Sequence, residues 1–418
     1  MQTMKQLTKS LTLAAALGGL LTVTTSAADW PQWRGADRTD HSPDKGLLKK
    51  WPDGGPKRAW LNTDVGLGYS GYSIVGGKLF TMGLRDDTEF LIAVDANTGK
   101  ELWATKVGAK YENNWGDGPR ATPSVDGDRV FTMGGQGDLI CVQAGDGKEL
   151  WTTSMTKDLG GKLQSWGYTE SVLVDGDQVI CTPGGSKGTL AALDKLTGKL
   201  KWQSAELTVD AQYSSPLVIE HGGKRQYVQL VMNKLFGVEA GSGKLLWQSE
   251  WSGRTAVIPT PIYHAGQVYI TTGYGVGSKL VKLGADGNAT DVWENKVMKN
   301  HHGGVIKMGD HLYGYSDGPG WICQDWKTGA EVWANKSLGK GSVHFADGML
   351  YCVDEGNGTV ALAEASPKGW TEHGRFKLDP QTTKRSPQGR IWTHPVVING
   401  KLYLRDQELL YCYDVKGN

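Results

Sequence analysis

Six short stretches of this chain gather the side chains that could do chemistry: YENNWGDGPR (111–120), LQSWGYTES (163–171), DAQYSS (210–215), SGRTAV (252–257), KNHHGG (299–304) and GRIWTHP (389–395). They supply Asp117, Arg120, Glu170, Tyr213, His301, His302 and His394, with Trp115, Trp166 and Trp392 beside them. Carboxyls, imidazoles and a guanidinium held together away from water take shifted pKa values suited to acid–base work or to holding an anion. The tryptophans offer flat walls on which a ring can stack. Arg120 is the strongest single donor for an anionic or carbonyl group, because a guanidinium grips two oxygens at once. Its alternative role is to pair with Asp117 or Glu170 and fix the loops.

Other chemistries find less support. GYGVGSK (273–279) and GGQGD (134–138) are glycine-rich, but neither opens a helix and no G-x-x-x-x-G-K-[ST] occurs, so they read as loops rather than phosphate cradles. The five cysteines form neither a C-x-x-C knuckle nor a C-x-x-C-H haem attachment. Cys141, Cys323 and Cys412 fall at matching positions of a repeat and are expected as buried free thiols. His301 and His302 are neighbours and cannot both face one side of a regular strand. No metal is assigned, and the residues by themselves signal no cofactor.

The elements that must position these groups come from that repeat. VDANTGKELWATK (94–106) returns as QAGDGKELWTT (143–153), LDKLTGKLKWQS (193–204), VEAGSGKLLWQS (238–249) and QDWKTGAEVWAN (324–335). Trp60, Trp103, Trp151, Trp202, Trp247, Trp293 and Trp333 mark seven units, and Trp370 stands two residues from the place of an eighth. The spacings of 37 to 51 residues match one four-stranded propeller blade. Within one unit, ATPSV, RVFTMG, DLICVQA and ELWTTSM read as four short strands between glycine turns. Asp-Gly and Asn-Gly in VDGDR, VDGDQ, ADGML and INGKL supply the positive φ of two-residue hairpins, which explains the DGD pairs without calcium.

The expected fold is all-β, an eight-bladed β-propeller of four-stranded blades. The last strand, LLYCYDV, has no Trp strand after it, and PKRAWLNT has a Trp strand with nothing before it. Pairing the two closes the ring and leaves no open sheet end. Each repeated Trp should lie against the backbone of a neighbouring blade, burying on the order of 200 Å², with glycine there because a Cβ would hold the ring away.

In this strand order the Gly-Lys and Asp-Gly turns share one face, and the variable stretches share the other. Function concentrates where loops vary over a constant frame, so the candidate site is the loop-rich mouth of the central channel. Its residues are Asp117, Arg120, Trp166, Glu170, Tyr213, His302 and His394. Arg120 and His302 lie six residues before their hairpins, while Glu170 and His394 lie five before, so strand alternation points the two pairs in opposite directions. The competing reading is a water-filled channel whose polar lining only satisfies backbone groups.

Composition agrees with a large all-β chain: 418 residues, 39% hydrophobic, with 59 Gly and 17 Trp. A formal charge of +1 gives no concentrated basic surface, which argues against nucleic acid. Lys5 and Lys9, the apolar run LTLAAALGGLLTV (11–23) and TSAA form the three regions of an export signal cleaved after Ala27 or Ala28. No Cys precedes Cys141, which argues against a lipid anchor. The expected organisation is a signal peptide (1–28), an N-terminal extension leading into the propeller (29–55) and the propeller (56–418). The product is expected as a monomer without a membrane span, periplasmic or secreted.

AVDANTGKELW resembles the pyrroloquinoline-quinone (PQQ) repeat, an A-x-D-x-x-x-G-K-x-x-W pattern, and the likeness runs from about Trp60 to the C-terminus. Ahead of it, DWPQWRG (29–35) with GLLKKWPDGGPKRAW (46–60) resembles the start of exported bacterial PQQ-repeat proteins. The resemblance implies an eight-bladed propeller of the quinoprotein alcohol dehydrogenase-like superfamily, which also holds the scaffold lipoprotein of the outer-membrane barrel-assembly machinery. It implies two roles: a propeller binding a small molecule or protein partner at its loop-rich face, or a dehydrogenase of alcohols or sugars using PQQ with calcium. The adjacent Cys-Cys disulfide and long loops of the dehydrogenases are absent, as is the lipobox Cys of the scaffold. Function therefore rests on the site.

Overall fold

The computed structural model describes residues 28–285 and 287–417, so the expected export signal lies outside the described residues except for Ala28. Eight antiparallel sheets form the blades, seven of them consecutive: 73–109, 124–154, 173–203, 217–250, 262–295, 305–335 and 341–377. In each, the first strand lies innermost and the fourth outermost. Blade 8 joins Val396–Ile398, Lys401–Asp406 and Leu409–Asp414 to the N-terminal strand Arg58–Asn62, with Trp60 opposite Cys412. The ring closes as the sequence requires. Arg405 seals the closure: its guanidinium, fully buried, donates to Ser70 O, Met82 O and Gly66 O of blade 1 and its approach.

The repeated turn explains itself at atomic level. Asp95 Oδ1 accepts the N–H groups of Asn97 and Thr98 and the Thr98 hydroxyl, and Gly99 takes φ +75° to complete the turn. The outer strand then slips by one residue in a bulge in every blade, beside the Trp in seven of them and beside Gly374 in blade 7. The indole lands on the glycine of the next blade's turn: a Cβ on Gly99, Gly147, Gly198, Gly243 or Gly329 would stand 2.3–2.7 Å from an atom of the preceding blade's Trp or its neighbour. Trp60, Trp151 and Trp293 also donate from Nε1 to a carbonyl of that turn, at 3.0 Å. The core is accordingly a set of apolar layers between blades, such as Phe131, Cys141 and Trp151 against Val179, Cys181 and Leu193. All five cysteines are buried and free.

Two units depart from the pattern. Trp247 turns onto Gly237 and Gln226 of its own blade. In blade 7 the Trp position is held by Gly374, opposite Leu362, and Trp370 precedes the strand. Trp51 of the N-terminal segment covers Gly374 instead, with a Cβ there 2.8 Å from its own.

Residues 30–42 run into the central channel and touch all eight blades. Trp30 N donates to Ile74 O and Val125 N to Pro31 O. Arg38 donates to Val172 O at 2.6 Å and Pro216 O at 2.7 Å. Trp33 Nε1 donates to Thr260 Oγ1, Arg34 Nη2 to Val305 O, and Asp40 faces His344 at 2.9 Å and His394 at 3.9 Å. His41–Ser42 adds a fifth, parallel strand to blade 7.

Candidate functional site

Above this plug lies a cavity of about 340 Å³, with Trp33 and Arg34 among its lining. Its sides are the segments that lead into the innermost strands and the loops between second and third strands. Of the candidates from sequence, Arg120, Trp166, Tyr213, His302 and His394 line it together, as do Trp115, Trp392 and His301. Asp117 and Glu170 are not in the lining. Asp117 accepts the Asn113 N–H at 2.8 Å and shapes the loop, while Glu170 is buried behind the wall, accepting Thr182 N–H at 2.5 Å.

Alternation accounts for Glu170 and Arg120, which point opposite ways, but not for His394, which faces the cavity with Arg120. His301 and His302 also share the cavity, against the expectation for a regular strand. The reason is local: the strand of blade 6 begins at Val305, and Gly303-Gly304 before it is irregular, with Gly304 at φ +79°.

Aromatic rings dominate the walls. Trp392 packs on Tyr69 at 4.8 Å and faces Trp115 at 6.3 Å and His302 at 5.9 Å, and Trp166 meets Tyr213 edge-on at 5.6 Å. Arg120 sits with its guanidinium 5.4 Å and 5.1 Å from the ring centres of Tyr69 and Tyr111, and donates to Gly116 O and Gly118 O, each at 2.6 Å. It therefore pairs with neither Asp117 nor Glu170. Burial lowers its pKa, with Tyr69, Tyr111 and Glu89 acting the other way.

The opposite wall carries linked polar groups. His302 Nε2 and Glu355 Oε2 approach to 2.5 Å, without good hydrogen-bond alignment. Burial pushes the Glu355 carboxyl up, but His302, Lys340 and Arg390 together hold it below its ordinary range. Beside it, His301 contacts Tyr274 OH at 2.5 Å and Lys340 Nζ at 2.7 Å, and Lys340 contacts Asp317 at 2.8 Å. Burial, then His302 and Lys340, lowers the His301 pKa to about 2. Arg34, Thr255 and Tyr274, all lining the cavity, take left-handed φ values of 61°, 62° and 57°. Such backbone costs about 1–3 kcal/mol per residue and gathers at functional sites.

Sequence reasoning missed Trp33, Arg34, Tyr69 and Tyr274. Tyr274 lay within a stretch weighed only as a phosphate loop, and Trp33-Arg34 lay outside the repeat, where periodicity gives no mark. Among the described residues no group of His, Cys, Asp and Glu is arranged to hold a metal ion, and no helix is long and apolar enough to cross a membrane.

Known proteins share this architecture. The family model described as outer membrane protein assembly factor BamB matches residues 87–335 and 279–408. Among curated proteins, none matches the sequence. The structure is similar to BamB from Moraxella catarrhalis, with TM-score 0.61 and 15% identity over 86% of this chain and 98% of that one. It is similar also to the quinohemoprotein alcohol dehydrogenase of Comamonas testosteroni, with TM-score 0.64 and 12% identity over 93% and 81%. The computationally designed Ika8 protein matches with TM-score 0.57 and 10% identity over 86% and 100%. At these identities the likeness is one of fold.

Proposed function

Since the chain belongs to the family described as outer membrane protein assembly factor BamB, a PQQ-repeat propeller of the quinoprotein dehydrogenase-like superfamily, we propose that it binds a small ring-bearing molecule at the loop-rich mouth of its channel, through an anionic or carbonyl oxygen. The observation behind this reading is Arg120, a largely buried guanidinium at the wall of an aromatic cavity with no salt bridge among the described residues. A cation taken from water with no carboxylate in contact is costly. An anionic ligand relieves that cost, and Trp115, Trp166 and Trp392 supply faces for its ring.

The test uses benzoate as probe, with binding and melting temperature followed for wild type, Arg120→Lys and Arg120→Ala. Arg120→Lys keeps the charge but loses the planar fork, so benzoate affinity should fall about tenfold or more with a smaller effect on stability. Loss of stability in step, with binding unchanged, would make Arg120 a loop staple and remove the reading.

A PQQ cofactor with calcium does not fit this cavity. The quinone carries three carboxylates, whereas two guanidiniums line the cavity: Arg120, and Arg34, which already faces Asp40. Among the described residues no group of three or more His, Cys, Asp and Glu could hold a metal ion, and no two cysteines are adjacent.

The family description also supports a protein partner, and Trp115, 43% exposed at the rim, is the contact we propose for it. Residues 1–28 read as an export signal, and the family description names the outer membrane, which together support a periplasmic or secreted protein. N-terminal sequencing of the exported product should begin at Ala28 or Asp29; an intact Met1 would exclude this.

A further inference from the structure

We propose that Tyr274 is a second ligand-contacting donor in this cavity, aimed by the hydrogen-bonded chain Asp317–Lys340–His301, so that the ligand carries an oxygen acceptor opposite the group held by Arg120. The proposal rests on the ligand-binding reading and adds a specificity-determining residue to it. The direction of each hydrogen bond follows from chemistry. A lysine ammonium can only donate, so His301 Nδ1, 2.7 Å from Lys340 Nζ, accepts. A neutral imidazole then carries its hydrogen on Nε2, and burial beside Lys340 keeps the ring neutral. That Nε2–H donates to Tyr274 OH at 2.5 Å. The Tyr274 hydroxyl has its acceptor lone pair engaged and its own hydrogen left for the cavity that it lines. Burial, then Asp317, raises the Tyr274 pKa, which keeps that hydrogen in place.

The parts come from separate loops. Tyr274 stands between the second and third strands of blade 5, His301 on the connection to blade 6, Asp317 on the blade 6 loop and Lys340 on the connection to blade 7. Tyr274 holds a left-handed φ of 57° between Gly273 and Gly275, a conformation that lone tyrosines avoid. Arg120 enters from blade 2, on the other side of the ring. Two donors on opposite walls with aromatic faces between them select a ring with an anionic oxygen at one end and a carbonyl-type acceptor at the other.

The experiment compares four probes on the full mature chain by calorimetry: benzoate, 4-acetylbenzoate, 4-isopropylbenzoate, which has the same shape without the acceptor, and acetophenone, which lacks the carboxylate. Wild type should bind 4-acetylbenzoate about tenfold more tightly than 4-isopropylbenzoate, the value of one good hydrogen bond. Tyr274→Phe should erase that ratio, while Arg120→Lys should weaken both acids and leave it. Equal affinities in wild type overturn the role of Tyr274 alone. Acetophenone binding as tightly as 4-acetylbenzoate overturns the role of Arg120 alone, and no binding by any probe overturns both. Independently of ligand, nitrogen-15 NMR should show His301 as the neutral Nε2–H tautomer from pH 5 to 8, altered in Lys340→Met. A His301 that titrates in that range, or holds its hydrogen on Nδ1, overturns the donor direction.

Discussion

Glu89 and Glu170 stand behind the cavity wall as buried carboxyls without a cation in contact. Glu89 accepts the N–H of Tyr111 at 3.2 Å and of Gly135 at 2.8 Å, and Glu170 that of Thr182. Burial raises each to about 7, against the pull of those hydrogen bonds. Between pH 4.5 and 7 the folded protein holds protons that the unfolded chain has released. Stability therefore falls as pH rises through that window and levels off above it, by up to about 3 kcal/mol per group. Glu170→Gln removes one titration, so its melting temperature should fall less than that of wild type between pH 5 and 8; equal slopes would mean that Glu170 is ionised in place. At this scale the sequence was only partly informative. It drew Arg120, His302 and His394 from the irregular loop stretches, and alternation set Glu170 apart from Arg120. It wrongly grouped Glu170 with His394, because which side a residue faces depends on where irregular backbone ends and the strand begins.

At the scale of the element, the contact between Trp103 and Gly147 can be attacked from both partners. Trp103→Ala opens a void between blades 1 and 2 and should cost about 3–5 kcal/mol. Gly147→Ala brings a Cβ to 2.5 Å of the indole and strains a φ of +77°, so it too destabilises. In the double variant the clash with the indole is gone, while the void, the backbone strain and a Cβ 2.6 Å from Thr105 Oγ1 remain, so chemical denaturation should give a loss smaller than the sum of the singles. Strict additivity would show that the ring does not rest on that glycine. The blades were readable because turn and Trp recur together. The seat on Gly374 was not, since Trp51 reaches it from outside the repeat and leaves no periodic signal.

At the scale of the molecule, one N-terminal segment links closure, channel and cavity. Arg58–Asn62 completes blade 8, Trp51 covers blade 7, and residues 30–42 bond every blade while Trp33 and Arg34 line the cavity. Deleting residues 29–63 removes all of these at once, and it exposes the edge of Leu409–Asp414 to pairing with other chains. The truncated chain should therefore aggregate or melt far below wild type. A narrower variant tests the plug by itself. Arg38 is 3% exposed, and its donors serve Val172 O and Pro216 O, on blades 3 and 4. Arg38→Ala leaves Pro216 O unpaired, at about 1–3 kcal/mol, and leaves Val172 O with the Ser124 hydroxyl alone, with Arg58–Asn62 still in place. It should remain folded with a clearly lower melting temperature, and hydrogen exchange should quicken around Val172 and Pro216 before the closing strand. A truncated protein with the oligomeric state and melting temperature of the wild type would mean that the ring is closed by some other pairing. An Arg38→Ala protein as stable as wild type would mean that the plug rests in the channel without bracing it.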